Sequence, residues 1–175
     1  MKRFIFTAGL ACSLGIAFSP LPLDAAPQWI WTAKPAKDGE KATFRKTFTV
    51  AGPVKSATLQ FTCDNGATAY LNGTKIANNA DWNKPTKADL RNLLKAGENE
   101  LRFEATNQDG AGGFVATLEI VAKGGKKTLV ESGPDWSAAP GGSADFKPAV
   151  TIAAYGAEPW GKALAGGGGG GGGGE

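Results

Sequence analysis

From Trp29 to Ala154 apolar residues fall largely on alternate positions, the two-residue period of strands with one buried face. Trp29-Ile30-Trp31 predicts a first strand between Pro27 and Pro35, and residues 34–41 a polar loop. Residues 43–50 alternate next, with Phe44, Phe48 and Val50 on one face and Thr43, Arg45, Thr47 and Thr49 on the other; Lys46 interrupts the apolar face. Leu59, Phe61 and Cys63 alternate with Gln60 and Thr62, Asp64-Asn65-Gly66 makes a turn, residues 67–71 resume the extended pattern, and Asn72-Gly73 marks a tight hairpin. Residues 86–95 hold the one helix candidate, with Leu90, Leu93 and Leu94 at helical spacing and Gly97 placed to end it. Strict alternation returns with Leu101, Phe103 and Ala105 against Arg102, Glu104 and Thr106, and strands follow at 114–122, 127–131 and 149–154. About eight short antiparallel strands with one short helix predict an all-β fold, a β-sandwich of jelly-roll type.

The two ends lie outside that pattern. Met1-Lys2-Arg3 is a basic start, residues 4–18 are an apolar run of signal-peptide length, and Ser19-Pro20-Leu21-Pro22 precedes a small-residue cleavage site after Ala25. A membrane anchor needs about 20 apolar residues, and Gly9-Leu10-Ala11 before Cys12 is a poor lipobox. The expected organisation is a signal peptide over 1–25, a sandwich domain over 26–161 and a disordered glycine-rich tail over 162–175, in a secreted or periplasmic protein. The polyglycine run 166–174 has no side chain to bury; it is either a tether to a partner domain or the end of the reading frame.

Composition narrows the chemistry. There is no histidine, which excludes imidazole bases, Ser-His-Asp triads and His-ligated metals within the chain. Cleavage leaves Cys63 as the one cysteine, so no internal disulfide or thiolate cluster forms, and its place on the apolar face predicts a buried residue. Without Lys2, Arg3 and Asp24 the 19 basic and 16 acidic residues become 17 and 15, a net charge of +2, too small to argue for nucleic acid or an anionic membrane. No membrane span remains after cleavage.

Taken together, Trp29-Ile30-Trp31, Phe44-Arg45-Lys46-Thr47-Phe48, the block from Asp64 to Tyr70-Leu71-Asn72-Gly73, Gly97-Glu98-Asn99-Glu100-Leu101, Asn107 with its glycine-rich loop, Asp135-Trp136 and Glu158-Pro159-Trp160-Gly161 form an ordered series. In that order they resemble the galactose-binding-like β-sandwich modules found at the front of bacterial α-L-rhamnosidase-type glycoside hydrolases and in exported multidomain bacterial proteins. The resemblance covers residues 29–161. It implies a jelly-roll sandwich with a carbohydrate-associated role and no catalysis of its own, since in those hydrolases the chemistry sits in a separate helical domain. It also implies that a structural calcium is possible, with Asp109 and nearby carbonyl oxygens as hard ligands.

A sugar presents apolar C–H faces and a rim of hydroxyls, so its site wants an aromatic plate among amides and carboxylates. The loops after Cys63, around Trp82 and after Thr106 offer Asp64, Asn65, Asp81, Trp82, Asn107 and Asp109 as glycan-binding candidates. Trp82 has a second reading, as a plug of the sandwich end with its indole N–H on a carbonyl. Asn65 and Asn72 also read as turn formers, and the glycines after Asn107 let the backbone bend around a ligand, an ion or the neighbouring loop. Trp29, Trp31, Trp136 and Trp160 read as core and edge cover. A glycosidase would need two facing carboxylates, for which Glu104 and Glu119 are the candidates if their strands are neighbours. The remaining alternative is a structural or protein-interaction spacer, which a buried Trp82 favours and an exposed one disfavours.

Overall fold

A computed structural model of the chain describes residues 26–165 and resolves twelve strands: β1 (Gln28–Trp31), β2 (Lys41–Val50), β3 (Val54–Asp64), β4 (Gly66–Leu71), β5 (Thr74–Asn79), β6 (Thr86–Asp89), β7 (Gly97–Thr106), β8 (Gly113–Ala122), β9 (Lys127–Glu131), β10 (Ser137–Pro140), β11 (Lys147–Pro148) and β12 (Val150–Ala154). They form two antiparallel six-stranded sheets. The first has the order β12-β1-β8-β3-β6, with β9 also on β8; the second has the order β11-β10-β2-β7-β4-β5. The chain crosses between sheets at most connections, as a jelly roll does. Thus the Asp64–Asn65 turn is a crossover rather than a hairpin, because β3 pairs with β8 while β4 pairs with β7. The signal-peptide stretch and the polyglycine run lie outside the described residues.

The alternation buries what it predicts. Phe44, Phe61, Phe103 and Phe114 are fully buried between the sheets, with Phe44 and Phe114 stacked at 4.8 Å and Phe103 at 4.6 Å from Phe114. Trp31 meets Phe44 edge-on, and Trp136 closes the same cluster while its indole donates 2.7 Å to the Glu131 carbonyl. Cys63 is fully buried, and burial together with the neighbouring Asp64 pushes its thiol well above the ordinary range. A register shift between Trp29 and Ile30 turns Trp29 to the outside of the first sheet while Ile30 and Trp31 stay in the core. Lys46, the break in the β2 pattern, carries its ammonium to the Asp135 carboxylate beside Trp136, so the stem covers apolar surface and the charge stays paired. The tight hairpin forms as expected, with Asn72 (φ 50°) and Gly73 (φ 84°) both left-handed between β4 and β5.

One element differs from expectation. Residues 86–95 do not make a helix: Thr86–Asp89 is β6, paired with β3 from Phe61 to Thr58. The helical spacing of the leucines yields a single turn, in which the Leu93 and Leu94 amides bond the Leu90 carbonyl and Asp89 Oδ1 accepts from the Arg91 N–H. Leu90 is buried and Leu93 exposed, so one turn suffices to plug the sheet edge. Packed chain also continues past Gly161 into a 3-10 turn, Ala163–Ala165, where Leu164 is buried. No helix among the described residues is long and apolar enough to cross a membrane.

Candidate functional site

Three loops that the sequence singles out meet at one end of the sandwich. Asp64 ends β3, and its Oδ2 accepts the Trp160 indole N–H at 2.8 Å. Trp160 stacks on Trp29 at 4.5 Å, and with Val115 and Leu164 they make a second apolar cluster on the outer side of the first sheet. That stacking explains Gly113 at the start of β8: a Cβ there would meet both indoles at about 3 Å. Burial raises the Asp64 carboxyl above its ordinary value; Asp109 nearby adds to the rise, and the Trp160 N–H opposes it.

Asn65 is engaged twice. Its N–H donates to the Thr106 carbonyl at 2.8 Å, and its Oδ1 accepts the Gln108 N–H at 2.7 Å, tying the crossover to the glycine-rich loop. Asn107 is fully buried, with Nδ2 donating to the carbonyls of Lys37 and Gly110. The glycines therefore bend around the neighbouring 34–41 loop: Gly110 donates to Asp38 Oδ1, Gly39 to the Gln108 carbonyl, and a Cβ on Gly112 would strike Ala36. Glu40 in that loop accepts from the Thr32 hydroxyl and the Lys37 N–H. Although burial raises its carboxyl, these bonds bring it below its ordinary value, helped by the Lys37 charge.

Asp81 and Trp82 hold the third loop. Asp81 pairs with Lys84 and accepts the Asn83 N–H, both of which lower its carboxyl pKa. Trp82 is half-buried against the second apolar cluster, between the two states that would favour a sugar plate or a spacer. The loop closes on a residue absent from the sequence-based set, Asn79. Its buried Nδ2 reaches the carbonyls of Lys84 (2.8 Å) and Asp81 (3.2 Å) and the Thr86 hydroxyl, while Thr62 Oγ1 lies 3.1 Å from its Oδ1 and 2.9 Å from the Trp82 carbonyl. The Asn78-Asn79 doublet at the end of an alternating run is the signal that could have marked it.

Open space lies beside this end, on the outward face of the second sheet. A cleft of about 250 Å³ is lined by Asn65, Thr68, Asn78, Glu104, Thr106 and Gln108 among others. Glu104 accepts the Tyr70 hydroxyl at 2.9 Å and pairs with Arg102, which chiefly accounts for its lowered carboxyl pKa. Glu119 instead lies on β8 in the first sheet, paired with Lys127. The two glutamates, which could face each other only across neighbouring strands, thus project from opposite sheets and form no acid–base pair.

This architecture is a jelly-roll β-sandwich, consistent with the galactose-binding-like modules that the sequence resembles. At the sequence level the chain is similar to an α-L-rhamnosidase of Streptomyces avermitilis, 28% identical over an alignment 171 residues long that covers 82% of this chain and 16% of that protein. The crystal structure of that organism's α-L-rhamnosidase complexed with L-rhamnose superposes with a TM-score of 0.73 at 24% identity, covering 79% of this chain and 16% of the other. The apo lectin of Pleurotus ostreatus superposes with a TM-score of 0.72 at 26% identity over 79% of this chain and 44% of the lectin. No family model matches the chain.

Proposed function

We propose that this chain is an exported, non-catalytic carbohydrate-binding module that takes a glycan in the cleft between the Asp64–Asn65 crossover and the outward face of β4 and β7. The observation that carries the reading is the cleft itself: it is open, polar and walled by hydroxyl, amide and carboxylate groups from Thr68, Thr106, Asn78, Gln108 and Glu104. Hydroxyl-rimmed ligands are held by such convergent polar groups. The likeness to a lectin that has also been solved in complex with GalNAc supports the ligand class. The absence of catalysis is supported by the placement of Glu104 and Glu119 on opposite sheets and by the 16% of the rhamnosidase that the chain spans. Export rests on the basic start, apolar run and small-residue site of residues 1–25.

Calcium assists in this reading. Asp109 lies close enough to Asp64 to add to the rise of its carboxyl, neither is in an ion pair among the described residues, and Asn107 Oδ1 is buried without a partner. A hard cation would suit those oxygens. Among the described residues no three His, Cys, Asp or Glu side chains gather as a metal site, so amide and main-chain oxygens would complete the shell.

The spacer reading, a domain that packs against a partner beyond the glycine run, is favoured by one observation: every loop-end candidate except Asp109 is already bonded or packed within the chain. Retention on a glycan array, with calcium and with chelator, separates the two. The wild type is retained and chelator weakens it; Thr68→Phe, which fills the cleft from an outward position, abolishes retention with the thermal midpoint unchanged. Retention of Thr68→Phe at wild-type strength, or no retention of the wild type on any glycan, contradicts the cleft as a sugar site; retention indifferent to chelator removes the ion.

A further inference from the structure

Arg45 on β2 and Arg102 on β7 stand directly opposite each other on the outward face of the second sheet. Each lies over an aromatic ring, Arg45 at 4.1 Å from the Phe146 centroid and Arg102 at 3.9 Å from the Tyr70 centroid. Like charges in directly opposed positions repel. Glu104 compensates Arg102, but Arg45 is exposed and makes no ion pair among the described residues. Lys41 lies four residues back on the same face of β2, and Lys75 faces Tyr70 across β4 and β5. The β7 carboxylates Glu98, Glu100 and Glu104 share this face, the four cations outnumber them, and the unpaired Arg45 suits a partner of opposite charge.

The space between them is shaped for a chain. The cleft beside Asn65 continues into a second of about 300 Å³, reaching Lys41, Thr43 and the Gly141-Gly142 loop, and the two share Thr68, Glu104 and Thr106. Together they make one trough across β4, β7 and β2, floored by Thr43, Thr68 and Thr106 around the Glu104 carboxylate, which Arg102 and Tyr70 hold, with Arg45 next beyond Thr43 on the same face of β2.

We propose that this trough binds a linear polysaccharide bearing carboxylates, a polyuronate, with the Arg45 guanidinium taking a uronate carboxylate and the threonine floor meeting the sugar hydroxyls. Guanidinium recognises carboxylate through paired, charge-assisted hydrogen bonds, and stacking on Phe146 holds it in place at little entropic cost. A polyphosphate backbone is disfavoured, since the chain's net charge of +3 is too small to neutralise closely spaced phosphates. The inference rests on the glycan-binding reading above and adds the ligand's charge.

Binding of the full chain to alginate oligosaccharides, to the same oligosaccharides with their carboxyls reduced to alcohols, and to a duplex DNA fragment tests it by titration at low and high salt. Wild type binds alginate, binds the reduced polymer roughly tenfold more weakly and loses affinity with salt. Arg45→Gln weakens alginate binding about tenfold and Arg45→Lys less, as loss of a charged hydrogen bond implies. Thr43→Phe, which fills the trough without changing charge, weakens it too. Lys55→Gln, the same charge change on the first sheet, leaves it alone. Equal binding of acidic and reduced polymers, tighter binding of DNA, or an Arg45→Gln chain that binds as wild type overturns the proposal while the glycan reading stands. If no polysaccharide binds at all, both fall.

Discussion

The loop end around Asp64 and the outward face of the second sheet are built from the same chemistry, amides, carboxylates and aromatic rings, and use it in opposite ways. At the loop end Asp64 holds an indole, Asn65 a main-chain amide, Asn107 two carbonyls and Asp81 a lysine. On the sheet face Thr43, Thr68 and Thr106 line open clefts, and Arg45 has no carboxylate partner among the described residues. The difference follows from geometry. Converging loops have unpaired backbone groups that polar side chains must satisfy, whereas a strand inside a sheet has its backbone satisfied by its neighbours and leaves every second side chain free. Polar residues that look functional at loop ends are therefore claimed by folding first, and the register of an exposed sheet face supplies the groups left over for a ligand.

The comparison breaks most visibly through stability. Trp160→Ala removes a buried indole stacked on Trp29 and leaves Asp64 without its donor, so a loss of about 3–5 kcal/mol is expected in urea unfolding. Asn79→Ala strands the loop carbonyls of Asp81 and Lys84 and costs about 2–3 kcal/mol. Arg45→Gln on the sheet face changes stability by less than about 0.5 kcal/mol, because the site is exposed. Comparable losses in all three variants would erase the distinction between the two regions.

A smaller effect sharpens it by pH. The Asp64 carboxyl is raised in the folded chain, so its contribution is full below the unfolded pKa and is lost as pH rises through the folded one. The Glu40 carboxyl is lowered, so its contribution is present above the unfolded pKa and is lost as pH falls through the folded one. Urea midpoints between about pH 3 and pH 7 show the wild-type advantage over Asp64→Asn shrinking as pH rises, and that over Glu40→Gln growing. Slopes of the same sign would contradict the wiring assigned to these two carboxyls.

The sandwich was legible because alternation at 43–50, 58–63 and 101–106 states which face is buried, and the Asn72-Gly73 hairpin states where the chain reverses. The short strands β10 and β11 were not, since two to four residues such as Ser137–Pro140 carry no period. Residues 86–95 were misread because three leucines at helical spacing need only one turn to bury Leu90, while β3 takes Thr86–Asp89 as an edge. The loops named as glycan-binding candidates do converge: Asn65 bonds the Gln108 amide beside Asn107, Asp109 lies near Asp64, and Asp81 and Trp82 pack close by. What the linear chain conceals is cross-strand pairing, which places Arg45 opposite Arg102 and Glu104 between Thr43 and Thr68.

The most direct test of that assignment is amide chemical-shift mapping of the chain titrated with a soluble glycan that it retains. Shifts concentrated at Thr68, Glu104 and Thr106 are predicted, with Asp81, Trp82 and Asp109 little moved. Shifts confined to Asp81, Trp82 and Asp109 would place the ligand at the loop end and contradict the account.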